Sequence, residues 1–447
     1  MSKVVILGAA ESGIGAAVLA KKKGYDVFVS DYGKIKDNYK AMLDSYGLAY
    51  EQGRHTEDMI LDADIIVKSP GIRDDAPIVK KAAAKGIPIN SEIEFAHKFA
   101  NAKYVCITGS NGKTTTTELT YKILREAGLN VGLGGNIGKS FALQVAEDNF
   151  DYYVLELSSF QLDNMYDFRA DVAVLMNITP DHLDRYQYKM QNYTNSKFRI
   201  TQNQRPGDAF IYFAEDPVTV EEMRKRTFQQ KVVPFSIKSQ PSPGAHYFEG
   251  GDLCISANGN NIVIPSSGFQ LKGRHNRCNI MAAALAALHV GISPDQIRKS
   301  IETFKPLEHR VEPCGIVDGV SWINDSKGTN VDSVWYALDT VNPGVVLILG
   351  GVDKGNDYSQ LYDLVRQKVK VIVAMGVDNA PIHTAFDNMI KVVDVRSMDE
   401  CISTCRALAS HGDTVLLSPA CASFDLFTCY EQRGDMFREA VHRMMKN

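Results

Sequence analysis

The sequence predicts an α/β protein of three consecutive units, each built on a mostly parallel sheet. Three observations carry this expectation. Short apolar runs alternate with helical stretches along the chain, which is the rhythm of βαβ units. The succession of apolar strand, glycine-rich turn and helix occurs at the N-terminus and starts afresh near residue 100. The chain's 447 residues also exceed what one hydrophobic core organises, so roughly two to four domains are expected.

The first unit opens with a strand over Val4–Leu7, the turn "GAAESGIG" and a helix through about Lys23. A second strand, "DVFVSD", ends at Asp31. Further on, "ADIIVKSPG" runs as a strand into a turn at Pro70-Gly71, and "GIPIN" is a short strand after a helix. The glycine spacing, G-x-x-x-x-G-x-G, departs from the GxGxxG dinucleotide fingerprint, yet Asp31 stands where a Rossmann-like fold holds an NAD ribose. A nicotinamide-dependent dehydrogenase is therefore open at this point.

In the second unit "KYVCITG" is a strand and "KTTTTELTYKILREAG" a helix closed by Gly128. The junction "TGSNGKTT" has the grammar of a phosphate-binding loop. Amides at a helix N-terminus point at an anion that the macrodipole also favours. Gly109 and Gly112 let the backbone approach phosphate oxygens, Lys113 reaches the β/γ-phosphates, and Thr114 offers a hydroxyl to Mg²⁺. A strict Walker loop has glycine where Ile107 stands, so this is a variant. A nucleoside triphosphate is the expected owner.

Two further strands, "DYYVLELSS" and "VAVLMNIT", read as buried. Glu156 interrupts the first. An isolated buried carboxylate is costly, so it belongs either to a structural pair or to a metal. His182, in "NITPDHLDRY", follows a strand, where catalytic groups collect in α/β folds; a purely structural hydrogen bond is the other reading. From about 207 to 270 the texture changes to short strands with "PSPG" and "NGN" turns, read as hairpins attached to the central unit.

The third unit follows the linker "ETFKPLEHR". It holds four candidate strands, "WINDSKG", "GVVLILGG", "VKVIVAMG" and "TVLLSP", separated by helical stretches. The expected boundaries are 1–93, 94–304 and 305–447.

Composition narrows the function. A formal net charge of −4 gives no footprint for nucleic acid or an anionic membrane. No run of apolar residues is long enough to span a bilayer, and the N-terminal strand and glycine loop occupy the place of a secretory signal, so a cytoplasmic location is expected. The eight cysteines form no CxxC pair and read as reduced, packed thiols, although Cys401 and Cys405, four apart in a helix, leave a metal site open.

The motifs "TGSNGKTT", "ELSSFQL", "NITPDHLDRY", "SKFRI", "GRHNRCN", "HRVE", "NDSKGTN" and "SPACASFD" occur in an order that resembles the Mur ligases of bacterial peptidoglycan synthesis. The compact N-terminal unit, with "NDSKGTN", "LLSPACASFDLF" and "EQRGDMF", is most similar to the members that add D-glutamate. The resemblance spans nearly the whole chain. It implies Rossmann-like first and third domains around a P-loop-type ATPase domain, and ATP-dependent amide formation between UDP-N-acetylmuramoyl-L-alanine and D-glutamate through an acyl phosphate. Other members of the superfamily, such as folylpolyglutamate synthases, are the nearest alternative.

The resemblance also implies residue roles. Gly109, Ser110, Asn111, Gly112, Lys113, Thr114 and Thr115 would hold ATP, with Asn276, Asn279, Arg310 and Asp325; Asn276 could equally cap the helix "IMAAALAAL". Two Mg²⁺ ions would be shared among Thr114, Glu156, His182 and Lys197. Lys197 matches a lysine that is carbamylated in the family, which would give it two metal-binding oxygens. Lys113, Glu156, His182 and Lys197 would thus form the catalytic group. Glu11, Ser12, Gly13, Asp31, Gly71, Asn136, Ser158 and His182 would meet the UDP-substrate. Lys327, Thr329, Lys354, Ser423 and Phe424 would meet D-glutamate. Where relatives follow the aspartate with Thr-Arg, this chain has Tyr32-Gly33, so a cation at the uracil end is lost. A monomer acting on small molecules is expected.

Overall fold

The computed structural model describes residues 1–247, 251–271 and 273–446. Its core is three sheets. In the first, β1 (Lys3–Leu7), β2 (Asp26–Asp31), β3 (Ala49–Gln52), β4 (Ile65–Lys68) and β5 (Ile89–Asn90) lie in the order β3-β2-β1-β4-β5, all parallel. The connecting helices are α1 (Glu11–Lys22), α2 (Asp37–Ser45), α3 (Glu57–Leu61) and α4 (Pro77–Ala84), and α5 (Glu92–His97) leads out of the sheet. Val4–Leu7 are wholly buried, as a parallel strand covered on both faces requires. β3 escapes the sequence reading because "AYEQ" buries only Glu51 and shows no apolar pattern.

The second sheet is β14-β13-β12-β11-β10-β9-β6-β8-β7. Its parallel part is β6 (Lys103–Thr108), β7 (Val131–Gly135), β8 (Tyr152–Glu156), β9 (Val172–Leu175), β10 (Ala209–Phe213), β11 (Lys231–Ser236) and β12 (Gly244–Tyr247). β13 (Leu253–Ala257) and β14 (Asn260–Ile264) complete it antiparallel. The hairpin reading of 207–270 is therefore corrected in its first half: β10 and β11 extend the parallel sheet through a crossover helix, and only β12 to β14 form a meander. The helices of this part are α6 (Lys113–Glu126), α7 (Phe141–Glu147), α8 (Ser159–Leu162), α9 (Met190–Phe198), α10 (Pro217–Met223), α11 (Arg274–Val290) and α12 (Pro294–Glu302).

Gly128 ends α6 as expected. It adopts φ +86°, and the amides of Gly128 and Leu129 donate to the carbonyls of Arg125 and Leu124, the paired bonds of a Schellman motif.

The third sheet is β15-β16-β20-β17-β18-β19. It comprises β15 (Glu312–Val317), antiparallel to β16 (Val320–Asn324), then β17 (Val345–Leu349), β18 (Val369–Met375), β19 (Val392–Val395) and β20 (Thr414–Leu417), all parallel. Around it lie α13 (Val331–Thr340), α14 (Tyr362–Lys368), α15 (Ala380–Phe386), α16 (Met398–Leu408) and α17 (Tyr430–Lys446). Two strands beyond the four expected appear, both at edges. β15 contains Pro313 and a register shift before Gly315, and β19 is only half covered.

The chain forms two compact units, Met1–Gly268 with Cys278–Thr303, and Phe269–Arg277 with Phe304–Asn447. Within the first, small residues on α1 allow its close approach to α7: a Cβ on Gly15 would collide with the hydroxyl of Ser140, the residue that caps α7. All eight cysteines are free, and no group of three or more His, Cys, Asp or Glu poised for a metal occurs among the described residues. The Cys401–Cys405 pair is buried in α16 beneath the third sheet.

One buried carboxylate ties α5 to the segment between α8 and β9. Glu94 accepts from the amides of Tyr166 (3.0 Å), Asp167 (3.0 Å) and Phe168 (3.1 Å), with the His97 ring 3.8 Å away. Burial alone would raise its pKa. The His97 ring and these amides outweigh burial and hold it at about 2 instead of 4.5. Its stabilising contribution is thus complete above about pH 4.5 and lost as the pH falls toward 2. Glu94→Gln is expected to lower stability at neutral pH by about 2 kcal/mol. Calorimetric unfolding of both proteins down a pH series should show the gap closing on the acid side.

Candidate active site

The turn from β6 to α6 is shaped by two left-handed glycines. Gly109 (φ +149°) passes against the 176–177 segment, where a Cβ would lie 2.9 Å from the Met176 Cβ. Gly112 (φ +85°) is the N-cap of α6, and a Cβ there would lie 2.5 Å from Asn279 Oδ1. Side chains are excluded at both positions, by space and by φ. The first intrahelical bond of α6 runs from the Thr116 amide to the Gly112 carbonyl, so the amides of the first turn precede it.

The loop is braced from the segment after β9. Ser110 N donates to the Asn177 carbonyl (2.9 Å), and Asn111 N donates to Asn177 Oδ1 (2.8 Å), whose amide group returns a bond to the Asn111 carbonyl (3.1 Å). Ser110 Oγ donates to the Thr179 carbonyl and lies 3.0 Å from the Tyr193 hydroxyl. Ser110 and Asn111 therefore hold the loop's shape with these groups. Thr114 and Thr115 are buried in the first turn, and Asn279 accepts from the Thr116 hydroxyl (3.3 Å).

Two lysine amines converge on one carbonyl here. Lys113 Nζ donates to Gly109 O (2.8 Å) and Ser110 O (2.9 Å), and Lys197 Nζ, from α9, donates to the same Gly109 O (2.8 Å). Lys197 is 2% exposed and lies over the Tyr193 ring, 4.7 Å from its centroid. Burial first, and the Lys113 charge second, push its pKa well below the usual lysine range. Both effects shift this amine toward its neutral, nucleophilic form.

Strand register sets the neighbouring groups abreast of the loop. Glu156 ends β8 opposite Ile107 of β6, with Gly135 of β7 on its other side. Asn136 donates its backbone amide to the Glu156 carbonyl and its side-chain amide to Glu156 Oε1, both at 2.8 Å. Glu156 Oε2 is buried and has no hydrogen-bond partner. A buried carboxylate oxygen left so is a fitting donor for a hard cation. Mg²⁺ is commonly held by one or two carboxylates plus waters and phosphate oxygens, which agrees with so small a protein donor set. His182 adopts a left-handed φ of +53° in the segment after β9; its Nε2 lies 3.5 Å from the Asp181 carboxylate and its ring 5.2 Å from Phe160.

The residues matched to the UDP-substrate lie at or beyond the ends of β1, β2, β4, β7, β8 and β9. Asp31 is fully engaged with backbone: Oδ2 accepts from Ala9 N (2.6 Å) and Oδ1 from Gly33 N (2.7 Å), which pins the first glycine loop to the end of β2. Glu11 and Ser12 open α1, and Glu11 Oε1 accepts from Ser140 N (3.3 Å). A Cβ on Gly13 would collide with the Gly8 carbonyl. Ser158 forms a capping box with Gln161 at the head of α8. Gly71 lies in an exposed turn whose carbonyl accepts from Arg185 (3.3 Å).

In the second compact unit the candidates cluster after β16, β17 and β20, strands abreast at Asn324, Leu417 and Ile348. Asp325 is buried and accepts from the Ser418 hydroxyl (2.7 Å) and the Val311 amide (3.3 Å); burial raises its pKa to about 6. Arg310 Nε is buried without a hydrogen-bond partner. Lys327 places its amine 5.3 Å from the Tyr430 ring centroid. Thr329 and Lys354 are half-buried, Ser423 is buried, and Phe424 is exposed. Asn276 lies inside α11, which begins at Arg274, so a capping role for it is excluded.

The sequence reading gave no role to four residues that the structure brings in. Asn177 braces the phosphate-loop candidate. Tyr193 sits one helical turn before Lys197, a spacing that could have disclosed it. Arg185 grips the Gly71 turn. Arg433, 1% exposed, donates to the Ser326 hydroxyl (2.9 Å), the Ser326 carbonyl (2.8 Å) and the Cys421 carbonyl (3.3 Å), binding the 326 and 421 loops together; burial lowers its pKa to about 10.

Comparison with known proteins agrees with this geometry. The family descriptions that match are the MurD N-terminal domain over residues 3–78, the Mur ligase middle domain over 107–287 and the Mur ligase, glutamate ligase domain over 309–421. The chain is 53% identical over 447 residues to the UDP-N-acetylmuramoylalanine--D-glutamate ligase of Bacteroides fragilis (strain ATCC 25285), covering 99% of this chain and 100% of the relative. It is 52% identical over 440 residues to the enzyme of the same name from Porphyromonas gingivalis (strain W83), covering 98% of each. Among solved structures, a pseudomurein peptide ligase type C from Methanothermus fervidus shares the fold with a TM-score of 0.63 at 20% identity, covering 99% of this chain and 100% of that one. The UDP-N-acetylmuramate-alanine ligase of Thermotoga maritima does so with a TM-score of 0.63 at 18% identity and the same coverage. With three family domains in order and relatives matched end to end at such identity, the chain belongs to the Mur ligase family.

Proposed function

We propose that this chain joins D-glutamate to UDP-N-acetylmuramoyl-L-alanine in peptidoglycan synthesis, using ATP. The observation that carries the reading is the pair of lysine amines on the Gly109 carbonyl, in a chain whose full-length relatives bear that ligase name. In this reading residues 1–93 take the UDP-substrate, 94–304 the ATP phosphates, and 305–447 both the amino acid and a part of the ATP. The reading takes the chain as a cytoplasmic monomer acting on neither nucleic acid nor membrane; among the described residues no helix is long and apolar enough to cross a bilayer.

The first step brings two anions together. A carboxylate oxygen of the UDP-substrate bonds to the γ-phosphorus, the bond to the β,γ-bridging oxygen breaks, and ADP departs. The amine of D-glutamate then bonds to the acyl carbon, phosphate leaves with the electron pair of the cleaved C–O bond, and the new amide nitrogen sheds its excess protons. Each step develops charge that fixed cations and amides must meet. The first-turn amides of α6 and the Lys113 amine serve the triphosphate. Asn279 and Gly112 keep the loop close to α11. Arg310 and Asp325 serve the nucleotide, an arginine suiting phosphate and an aspartate a ribose hydroxyl.

Thr114, Glu156 and His182, with Lys197 as a carbamate, would hold Mg²⁺, two ions in this reading, which when bound would neutralise phosphate charge. Asn136 fixes Glu156 so that its second oxygen stays open to a cation. Lys327 and Lys354, with Thr329 and Ser423, present cations and hydroxyls suited to a dicarboxylate. Arg433 keeps the two loops that bear Lys327 and Ser423 at a fixed separation. A neutral Lys197 amine can bond to the carbon of CO₂ and release a proton, giving the carbamate.

Supplied with ATP, UDP-N-acetylmuramoyl-L-alanine and one amino acid at a time, the protein is expected to release phosphate with D-glutamate. Release with L-lysine or L-glutamate, and none with D-glutamate, would remove the assignment. Lys113→Ala should lower turnover by roughly 10³-fold with unchanged thermal unfolding, read by steady-state phosphate release. Lys197→Ala should lose a similar factor, about 10³-fold, and recover part of it in millimolar acetate or propionate, which supply the missing carboxylate oxygens. Titrating the short acids against the variant and the parent checks this.

A further inference from the structure

The segment from His182 to Tyr188 is held in an unfavourable backbone. His182, Gln187 and Tyr188 have φ of +53°, +57° and +56°, and none is glycine. Left-handed residues of this kind persist where surrounding contacts over-determine them, and they gather at functional sites. Two arginines supply such contacts, both joining this segment to the turn after β4. Arg185 donates to the carbonyls of Pro70 (3.2 Å), Gly71 (3.3 Å) and Ile72 (3.3 Å). Arg73 reaches the other way, to the carbonyl (3.1 Å) and carboxylate (3.3 Å) of Asp184. The Arg185 guanidinium also stacks over Phe160, 4.3 Å from its centroid, and Phe160 meets the His182 ring edge-on at 5.2 Å. Phe160 stands on α8, four residues beyond Glu156.

We propose that Arg185 is a positioning residue that couples occupancy of the 70–72 turn to the placement of His182. The inference rests on the reading that the turn meets the UDP-substrate and His182 a metal ion. One guanidinium is bonded to consecutive carbonyls of the turn and stacked on the ring that sets His182. A substrate that orders the turn therefore orders the His182 segment, and a cation bound at His182 favours the turn in return, because coupling between two sites is reciprocal. The planar fork does this by spanning carbonyls while its face lies on an aromatic ring, which a lysine ammonium cannot do together. Arg73 and Asp184 form the second tie.

The test uses the full chain and its Arg185→Met and Arg185→Lys variants. Calorimetry reads UDP-N-acetylmuramoyl-L-alanine binding with and without Mn²⁺, spin-resonance titration reads Mn²⁺ binding with and without that substrate, and steady-state kinetics read KM for D-glutamate. In the parent, each ligand should tighten the other by about tenfold. Both Arg185 variants should lose that enhancement and bind the substrate about tenfold more weakly, while KM for D-glutamate stays within about twofold. An enhancement retained in Arg185→Met, or a D-glutamate KM rising as much as the substrate's, overturns the proposal. Should Arg185→Met not fold, Arg185→Lys decides by the same split, since its ammonium cannot span the carbonyls and stack on Phe160 together. A parent that binds neither ligand would instead refute the function on which the proposal rests.

Discussion

Two lysine amines share one carbonyl oxygen, and much of the central domain can be understood as the consequence. Gly109 O accepts from both Lys113 and Lys197. Two ammonium groups at that separation repel, and Lys197 is buried away from the water that would screen them. The conflict is relieved when one amine gives up its proton, which is the direction in which burial and Lys113 both push Lys197. The arrangement thus favours the neutral form of the Lys197 amine. It also needs the carbonyl to face inward, which the left-handed Gly109 permits, and it needs α9 to be fixed against the loop, which Tyr193 and Ser110 ensure.

The strand order brings the neighbouring groups to the same place. β6 is flanked by β8 and β9, so the chain turns to opposite sides of it, and ligands in open α/β sheets bind at such a reversal. From β6 comes the glycine loop, from β8 Glu156, and from β9 the segment with Asn177 and His182. The first sheet repeats the pattern between β1 and β4, where Gly8 passes so near Ser69 that a Cβ would lie 2.7 Å from its hydroxyl. Between these two sheets Glu92 accepts from the Ser140 hydroxyl and from the Ala142 amide (2.8 Å), while Glu11 accepts from the Ser140 amide. Burial raises the Glu92 pKa to about 7, so this junction too holds a titratable group near neutrality.

What the letters disclosed was the part governed by local chemistry. A strand, two glycines, a lysine and a threonine need no tertiary context to announce the strand–turn–helix junction at α6, and the buried parallel strands β1, β6 and β17 announce themselves as apolar runs. What they concealed depends on non-local contact. The polar β3 is a strand because β2 pairs with it, not because "AYEQ" favours one. β10 and β11 looked like hairpins because turn residues follow them, and only pairing of β10 with β9 and of β11 with β10 makes them parallel. Asn136 and Ser158 were matched by motif to a ligand, and here they also orient Glu156 and cap α8. Arg185 and Arg433 were invisible because each acts on backbone carbonyls remote in sequence, which no side-chain pattern encodes.

Arg433 shows how far that last point reaches. Its guanidinium donates to the Ser326 hydroxyl and to the carbonyls of Ser326 and Cys421. A buried cation held by neutral acceptors is a poor source of stability compared with an apolar side chain of the same size. Its value lies in geometry: planar donors fix the distance between two loops that emerge from neighbouring strands, β16 and β20. The dicarboxylate site proposed on both loops would require that distance to be set before the ligand arrives, since ordering it afterwards would consume binding free energy. Residues so used are chosen for the spacing they impose on a site they never touch, and a sequence reveals them only once the fold has brought their partners together.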